Sequence, residues 1–208
     1  MRNTEAKCRL CRREETKLFL KGERCMRAKC AIDRERAIPG MHVRKKAKLS
    51  SYGEQLRAKQ KISRYYGLNE AQFRKVFQVA SRKKGITSFM LLTLLELRLD
   101  NVVFRLGIAP SRAAARQYVT HGHVRVNGRR VNIPSYTLKK DDVIELKKSD
   151  RSLTLANKNI ELTSGFNKLP EWFTFDKEAM KAQIVRLPQE GELQVPANEQ
   201  LVVEFYSK

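Results

Sequence analysis

Four cysteines carry the most specific chemistry in this chain. Two residues separate Cys8 from Cys11, thirteen more precede Cys25, four more precede Cys30, and no other cysteine occurs in 208 residues. Two short spacings joined by a longer loop match zinc sites, where each turn presents two thiolates to a tetrahedral ion. Two disulfides are the rival reading, but they require an oxidising compartment, and no N-terminal apolar run suggests a signal peptide. A redox-active pair is expected after a strand in a βαβ unit, and Cys8 sits in no such pattern. Unpaired buried thiols need a core, which this segment lacks. The spacing therefore favours one structural zinc on Cys8, Cys11, Cys25 and Cys30. Four thiolates leave no open position for a catalytic water. A structural zinc supplies roughly 10–16 kcal/mol of apparent folding energy, against about 2–4 kcal/mol for a disulfide. Only the zinc energy is large enough to organise so basic a segment.

The charge around those thiols indicates what the segment meets. The chain carries 43 Lys and Arg against 22 Asp and Glu, a formal net charge of +21. Residues 1–50 hold +10 of it and residues 51–150 hold +12, while the remainder is at −1. Such density repels itself unless a polyanion takes it up, and nucleic acid is the natural one. Candidate phosphate contacts fall into three groups. Around the thiols stand Arg9, Arg12, Arg13, Lys21 and Arg24, followed by the run Arg44, Lys45 and Lys46. A helical stretch carries Arg57, Lys59, Lys61, Arg64, Arg74, Arg82 and Lys83. A helix–hairpin stretch carries Arg105, Arg112, Arg116, His121, His123, Arg125, Arg129 and Arg130. A solvated surface competes as the reading of any one of these residues, but the scarcity of acids between Asp100 and Asp141 argues against it for the last group. Phe89 to Leu99, the longest greasy stretch, is too short to span a bilayer. The chain reads as soluble and intracellular. No P-loop, dinucleotide glycine loop or nucleophile elbow is present, so catalysis has no support.

Positioning these groups requires an α+β fold. Ser51 and Glu54 form a capping-box signature for a helix that reaches Tyr66 and stops at Gly67. Asn69 caps a second helix with Phe73, Val76, Phe77 and Ala80 at helical spacing, ended by Gly85. Thr87 or Ser88 begins an apolar third helix. Ser111 caps a compact helix closing at Gly122. Val124 and Val126 then lead into Asn127-Gly128, a strong hairpin turn, with Val131 and Ile133 on the return strand. Val143, Ile144 and Leu146 form a further strand. Residues 150–190 are less readable, and Leu201 to Tyr206 reads as a strand. The predicted organisation is a zinc-stapled basic segment over 1–45, then a helical domain over 46–97 completed by 187–208. An RNA-binding domain over 98–186 packs helices on a small antiparallel sheet, with its core module at about 98–160.

Several stretches resemble one family, the bacterial-type small-subunit ribosomal protein S-four. They include CRLCRRE and LFLKGERC, LSSYGEQLRAKQK, YYGLNEAQFRKVF, RLDNVVFRLG, SRAAARQYVTHGHVRVNGRRVNIPSY and NEQLVVEFYSK. The resemblance spans nearly the whole chain. It implies a primary rRNA-binding protein that grips a multi-helix junction in the 5′ region of small-subunit rRNA and nucleates assembly of the subunit body. It also implies a place near the mRNA entry channel, contact with the fifth small-subunit protein and other ribosomal proteins, and a contribution to translational accuracy. Some members repress their own operon, and some keep four zinc-binding thiols, as this chain does. Cytoplasmic ribosomes, no membrane and no self-oligomer follow from the same likeness. The module over 98–148 is similar to one that recurs in pseudouridine synthases and a tyrosyl-tRNA synthetase. The family's Pro-Gly-Gln-His-Gly loop reads here Pro39, Gly40, Met41, His42, Val43, and Ser51 replaces a common Asp. An RNA-modifying enzyme and a DNA-binding zinc-finger regulator remain as other classes. The first needs a catalytic domain that residues 150–208 are too few to form.

Overall fold

Three helices in this protein start where a side chain, of Ser50, Asn69 or Ser111, accepts from a terminal backbone N–H. The structure, a computed structural model, describes residues 6–41, 48–147, 149–165 and 169–207, apart from the side chain of Arg151. Along these residues lie α1 (Lys7–Glu14), a 3-10 turn (Gly22–Cys25), α2 (Ser51–Tyr66), α3 (Glu70–Ser81), α4 (Thr87–Glu96), α5 (Leu99–Arg105) and α6 (Arg112–Thr120). After them come β1 (Val124–Val126), β2 (Arg129–Arg130), β3 (Val143–Leu146), α7 (Asp150–Thr163), β4 (Phe173–Asp176), β5 (Lys181–Ile184) and α8 (Gln200–Tyr206). Helices with one small antiparallel sheet make this an α+β fold. The chain divides into two compact units, Met1–Leu92 with Gln194–Lys208, and Thr93–Leu193.

In the first unit α2 buries Ala58, Ile62 and Tyr66, a stripe at helical spacing. Helix α8 packs on it: Tyr52 and Phe205 ring centroids are 5.7 Å apart, and Tyr206 stacks on Phe77 at 4.6 Å. The Lys59 ammonium lies 4.9 Å from the Phe205 ring centroid and 2.6 Å from Glu70, which also accepts from the Tyr206 hydroxyl at 2.7 Å. Burial works against the Glu70 charge, but these two donors outweigh it and hold its pKa below the usual carboxylate value. Helix α1 buries Glu14, whose carboxylate takes the guanidinium groups of Arg57 and Arg64.

The second unit holds a five-stranded sheet in the order β2-β1-β3-β5-β4, antiparallel throughout. Val124, Val126, Ile144, Leu146, Ala182 and Ile184 point to one face, where they meet Val102, Val103, Val119 and Trp172 in a single core. Asn127 and Gly128 turn the β1–β2 hairpin with φ of 49° and 77°, as a type I′ turn requires. Asn127 also fastens the turn to the next strand, accepting from the Val143 N–H at 2.9 Å and donating to Asp142 at 2.8 Å. Helix α7 is tied down by Asn159, which donates to the Ile108 carbonyl at 2.9 Å, and by the Tyr118 hydroxyl, which donates to the Ser152 carbonyl at 2.9 Å.

A buried polar network fixes α5 and α6. Glu96 receives Arg105 through two bonds of 2.7 and 3.0 Å and the Asn101 amide at 2.7 Å. Asn101 in turn accepts from Arg112 at 2.8 Å. Asp100 receives Arg98 at 2.8 and 3.1 Å and Arg116 at 3.2 Å.

Five local expectations need correction. Helix α1 stands in the basic segment over 1–45, where the sequence reading places no helix, because eight residues are too few to show a period clearly. Ser50, one residue before Ser51, caps α2 by accepting from the Gly53 N–H at 3.2 Å. Helix α3 ends at Ser81, four residues before Gly85. The return strand β2 stops at Arg130, so Val131 and Ile133 lie beyond it. The apolar run expected as a C-terminal strand is helix α8, started by Asn198 accepting from the Gln200 N–H at 2.9 Å. A short β-branched run carries no decisive preference, and packing against α2 overrides it.

Replacing Glu96 by Ala removes the carboxylate shared by Arg105 and Asn101 and is expected to cost about 3–5 kcal/mol. The readout is the urea midpoint of unfolding. A loss of under about 1 kcal/mol, the value of a surface pair, would show that this network is not what holds α5.

Candidate nucleic-acid interface

The outer face of the sheet carries charge in register. One row crosses all five strands: Arg130 opposite Arg125, then Glu145, Lys181 and Asp176. Arg125 points away from the core because Val124 and Val126 on either side are buried. Lys181 and Glu145 pair at 3.2 Å, so charge balances toward β4 and accumulates as Arg125 and Arg130 at the hairpin end. Like charges directly opposite one another destabilise a strand pair unless an anion sits over them.

The Arg130 side chain lies over the loop that follows α6. Gly122, just after α6, has φ of 72°, and a Cβ there would land inside the Arg130 guanidinium. The backbone conformation thus favours glycine, and a Cβ would in addition push the end of the Arg130 side chain aside. His123 follows, its Nδ1 2.9 Å from the Ser152 hydroxyl and its ring 4.7 Å from that of Tyr118. Burial first, then the positive charge of His121, Lys147 and Arg130, pushes the His123 pKa below its ordinary value. The imidazole is therefore neutral at pH 7, amid cations that face outward.

The structure sorts the sequence candidates by position. On the helix–hairpin unit His121, Arg125, Arg129 and Arg130 are exposed and His123 is half-buried. Arg105, Arg112 and Arg116 face inward to Glu96, Asn101 and Asp100, and Arg112 also lies 4.5 Å from the centroid of Phe104. In the first unit Arg9, Arg13, Lys21, Arg24, Arg74, Arg82 and Lys83 are exposed, and Lys61 is half-buried. Arg12 donates to the Ala37 carbonyl at 2.9 Å, while Arg57, Arg64 and Lys59 hold the carboxylates of Glu14 and Glu70. Arg44, Lys45 and Lys46 lie outside the described residues, as do His42 and Val43 of the departing loop. Sequence reasoning passed over Lys139, Lys140 and Lys147, all exposed around β3. Lys147 could have been found from its place at the end of a strand that must pair next to His123: its N–H donates to the His123 carbonyl at 2.8 Å.

None of the four cysteines is in a disulfide; Cys11, Cys25 and Cys30 are buried and Cys8 is half-buried. Burial raises the pKa of Cys11, the Leu18 N–H bonded to its sulfur opposes this, and Cys25, Cys8 and Cys30 raise it further. Burial likewise raises Cys25, against the Lys21 N–H at 3.4 Å from its sulfur. Among the described residues no group of three or more His, Cys, Asp or Glu side chains is arranged to hold a metal ion.

Residues 2–96 match the family model described as the ribosomal protein S4/S9 N-terminal domain, and residues 97–144 match the S4 domain. The small ribosomal subunit protein uS4 of Acetivibrio thermocellus is 53% identical over 207 residues, covering 100% of this chain and 99% of that one. The protein of the same name from Thermus thermophilus is 52% identical over 202 residues, covering 97% and 96%. The chain belongs to the uS4 family. This is a structural, non-enzymatic family. The uS4 N-terminal match spans α1 to α4, while the S4-domain match takes in α5, α6, the β1–β2 hairpin and the start of β3. Helix α7 and strands β4 and β5 lie beyond it, yet they complete the sheet and supply Ser152 to His123.

Gly122→Ala is expected to cost about 1–2 kcal/mol from the left-handed backbone alone and to unseat Arg130. Urea unfolding reads the first effect. A variant as stable as the parent would show that position 122 does not need the left-handed backbone.

Proposed function

We propose that this protein is a structural component of the small ribosomal subunit in the cytoplasm and acts by binding rRNA. The family match together with outward-facing cations on both compact units carries the reading. Its finer form is a phosphate clamp: the thiol-bearing segment, the helices over 51–98 and the helix–hairpin unit within 98–186 each take a different rRNA helix. Such a clamp suits a multi-helix junction in the 5′ region of the rRNA, where fixing relative angles nucleates the subunit body. Phosphate contacts position and junction shape specifies. Contacts with the fifth small-subunit protein and with mRNA at the entry channel, and through them an influence on accuracy, belong to the same proposal. A grip on folded RNA would also let the free protein repress its own message. No helix among the described residues is long and apolar enough to cross a membrane.

One structural zinc on Cys8, Cys11, Cys25 and Cys30 belongs to the proposal as well. Four thiols in one short segment are a donor set that zinc takes, and backbone N–H groups of Leu18 and Lys21 are aimed at two of the sulfurs. Zinc supplies the positive charge that lets such buried thiols ionise, and its binding energy would hold Arg9, Arg13, Lys21 and Arg24 on a fixed surface.

Binding to a 5′-region junction transcript should weaken steeply with salt, with a log–log slope of about −0.7 to −0.9 for each phosphate neutralised. A nearly flat dependence in filter binding would sink the clamp. Elemental analysis of natively purified protein should return one zinc per chain, lost in the Cys8→Ser, Cys11→Ser double variant. Metal-free native protein would refute the zinc site.

A further inference from the structure

The helix–hairpin unit holds, beside its outward cations, a cavity that a phosphate clamp does not need. It measures about 320 Å³ and lies between α6, the loop after it and α7. Ala114, Gln117 and Tyr118 of α6 line it, with His121, His123 and Leu155. Sites for small organic groups begin at roughly 300 Å³, so there is room for one flat ring system and little more.

Its floor is aromatic and rigid. Ser152 holds both rings, its carbonyl accepting from the Tyr118 hydroxyl and its own hydroxyl meeting His123 Nδ1, each at 2.9 Å. The lip is different. His121 and Gln117 are exposed, and Leu155 offers an apolar edge at 48% exposure. Beyond the lip stand Arg130, packed on Gly122, and Lys147, which follows β3. An uncharged slot with cations at its mouth has the layout of a nucleotide: the base enters the slot and the phosphate stays outside. A purely phosphate-binding surface has no use for the slot. Unpaired bases splayed from junctions are the form in which single-stranded RNA is read, by stacking and by edge hydrogen bonds.

We infer that this cavity receives one unpaired base of the bound RNA, stacked within the Tyr118–His123–Leu155 slot, with Gln117 at its edge and its phosphate on Arg130 and Lys147. The inference rests on the RNA-binding reading above and assigns that interface a position that reads a base as well as phosphates. It also gives α7, outside the S4-domain match, a part in recognition through Ser152 and Leu155.

The test measures binding of the full chain to the junction transcript across a salt series. Ala114→Leu narrows the slot and should weaken binding by roughly 5- to 150-fold, the range for one base–aromatic stack, with the salt slope unchanged. Arg130→Ala should instead reduce the slope by about 0.7–0.9. Equal binding by the parent and a folded Ala114→Leu variant overturns the slot while leaving the clamp standing. Failure of the parent itself to bind overturns both. If Ala114→Leu does not fold, a benzophenone side chain at exposed Leu155 decides the matter in reconstituted small subunits. An adduct at one unpaired nucleotide supports the slot, whereas an adduct to protein, or none, overturns it. Adenosine monophosphate separates a free nucleotide from an RNA one: saturation below about 1 mM, some 4 kcal/mol, would make the cavity a small-molecule site and overturn the inference.

Discussion

A few carboxylates, three of them buried, decide which of this protein's many cations face inward. Glu14 gathers Arg57 and Arg64, Glu70 takes Lys59, Glu96 takes Arg105, and Asp100 takes Arg98 and Arg116. Each joins segments that would otherwise repel, and α1, α2, α5 and α6 are all oriented by one of them. An ion pair of this kind adds little net stability compared with an apolar contact, but breaking it leaves a costly unpaired charge. The carboxylates therefore act mainly as selectors. Cations with an internal partner become framework, and Arg125, Arg129, Arg130 and Lys147 remain outside for a ligand.

That sorting explains what the sequence made legible and what it hid. Local chemistry read well: Asn69 and Ser111 cap their helices, α2 stops at Gly67, and Asn127-Gly128 turns a hairpin. Each of these depends on a backbone group and a side chain within a few residues. The inward turn of Arg112 and Arg116 depends on Asn101 and Asp100, eleven and sixteen residues away. Counting acids between Asp100 and Asp141 missed partners that sit at the edge of that window. Arg64 meets Glu14 across fifty residues, beyond any reading of periodicity.

Strands showed the same limit. The β1–β2 hairpin was visible, whereas β4 and β5 were not, because both are short and a five-strand order is a tertiary fact. Helix α8 is the clearest case. Leu201, Val202 and Val203 favour a strand locally, but α2 offers a helical groove, and the rings of Phe205 and Tyr206 fill it only from a helix. His123 shows the converse: a residue that could pass for a metal ligand becomes, once Ser152 and Tyr118 hold it, part of an aromatic floor.

Helix α8 also orders events in time. The unit that α2 and α3 begin is finished by residues from Gln194 onward, while Thr93–Leu193 forms a complete unit in between. During synthesis the inner unit can therefore close before the outer one, although the outer one starts first, reversing the usual N-terminal-first sequence. Until α8 emerges, Phe73 and Phe77 await the ring of Tyr206 that covers them, and the S4-domain face is available to RNA while the rest of the chain is still being made.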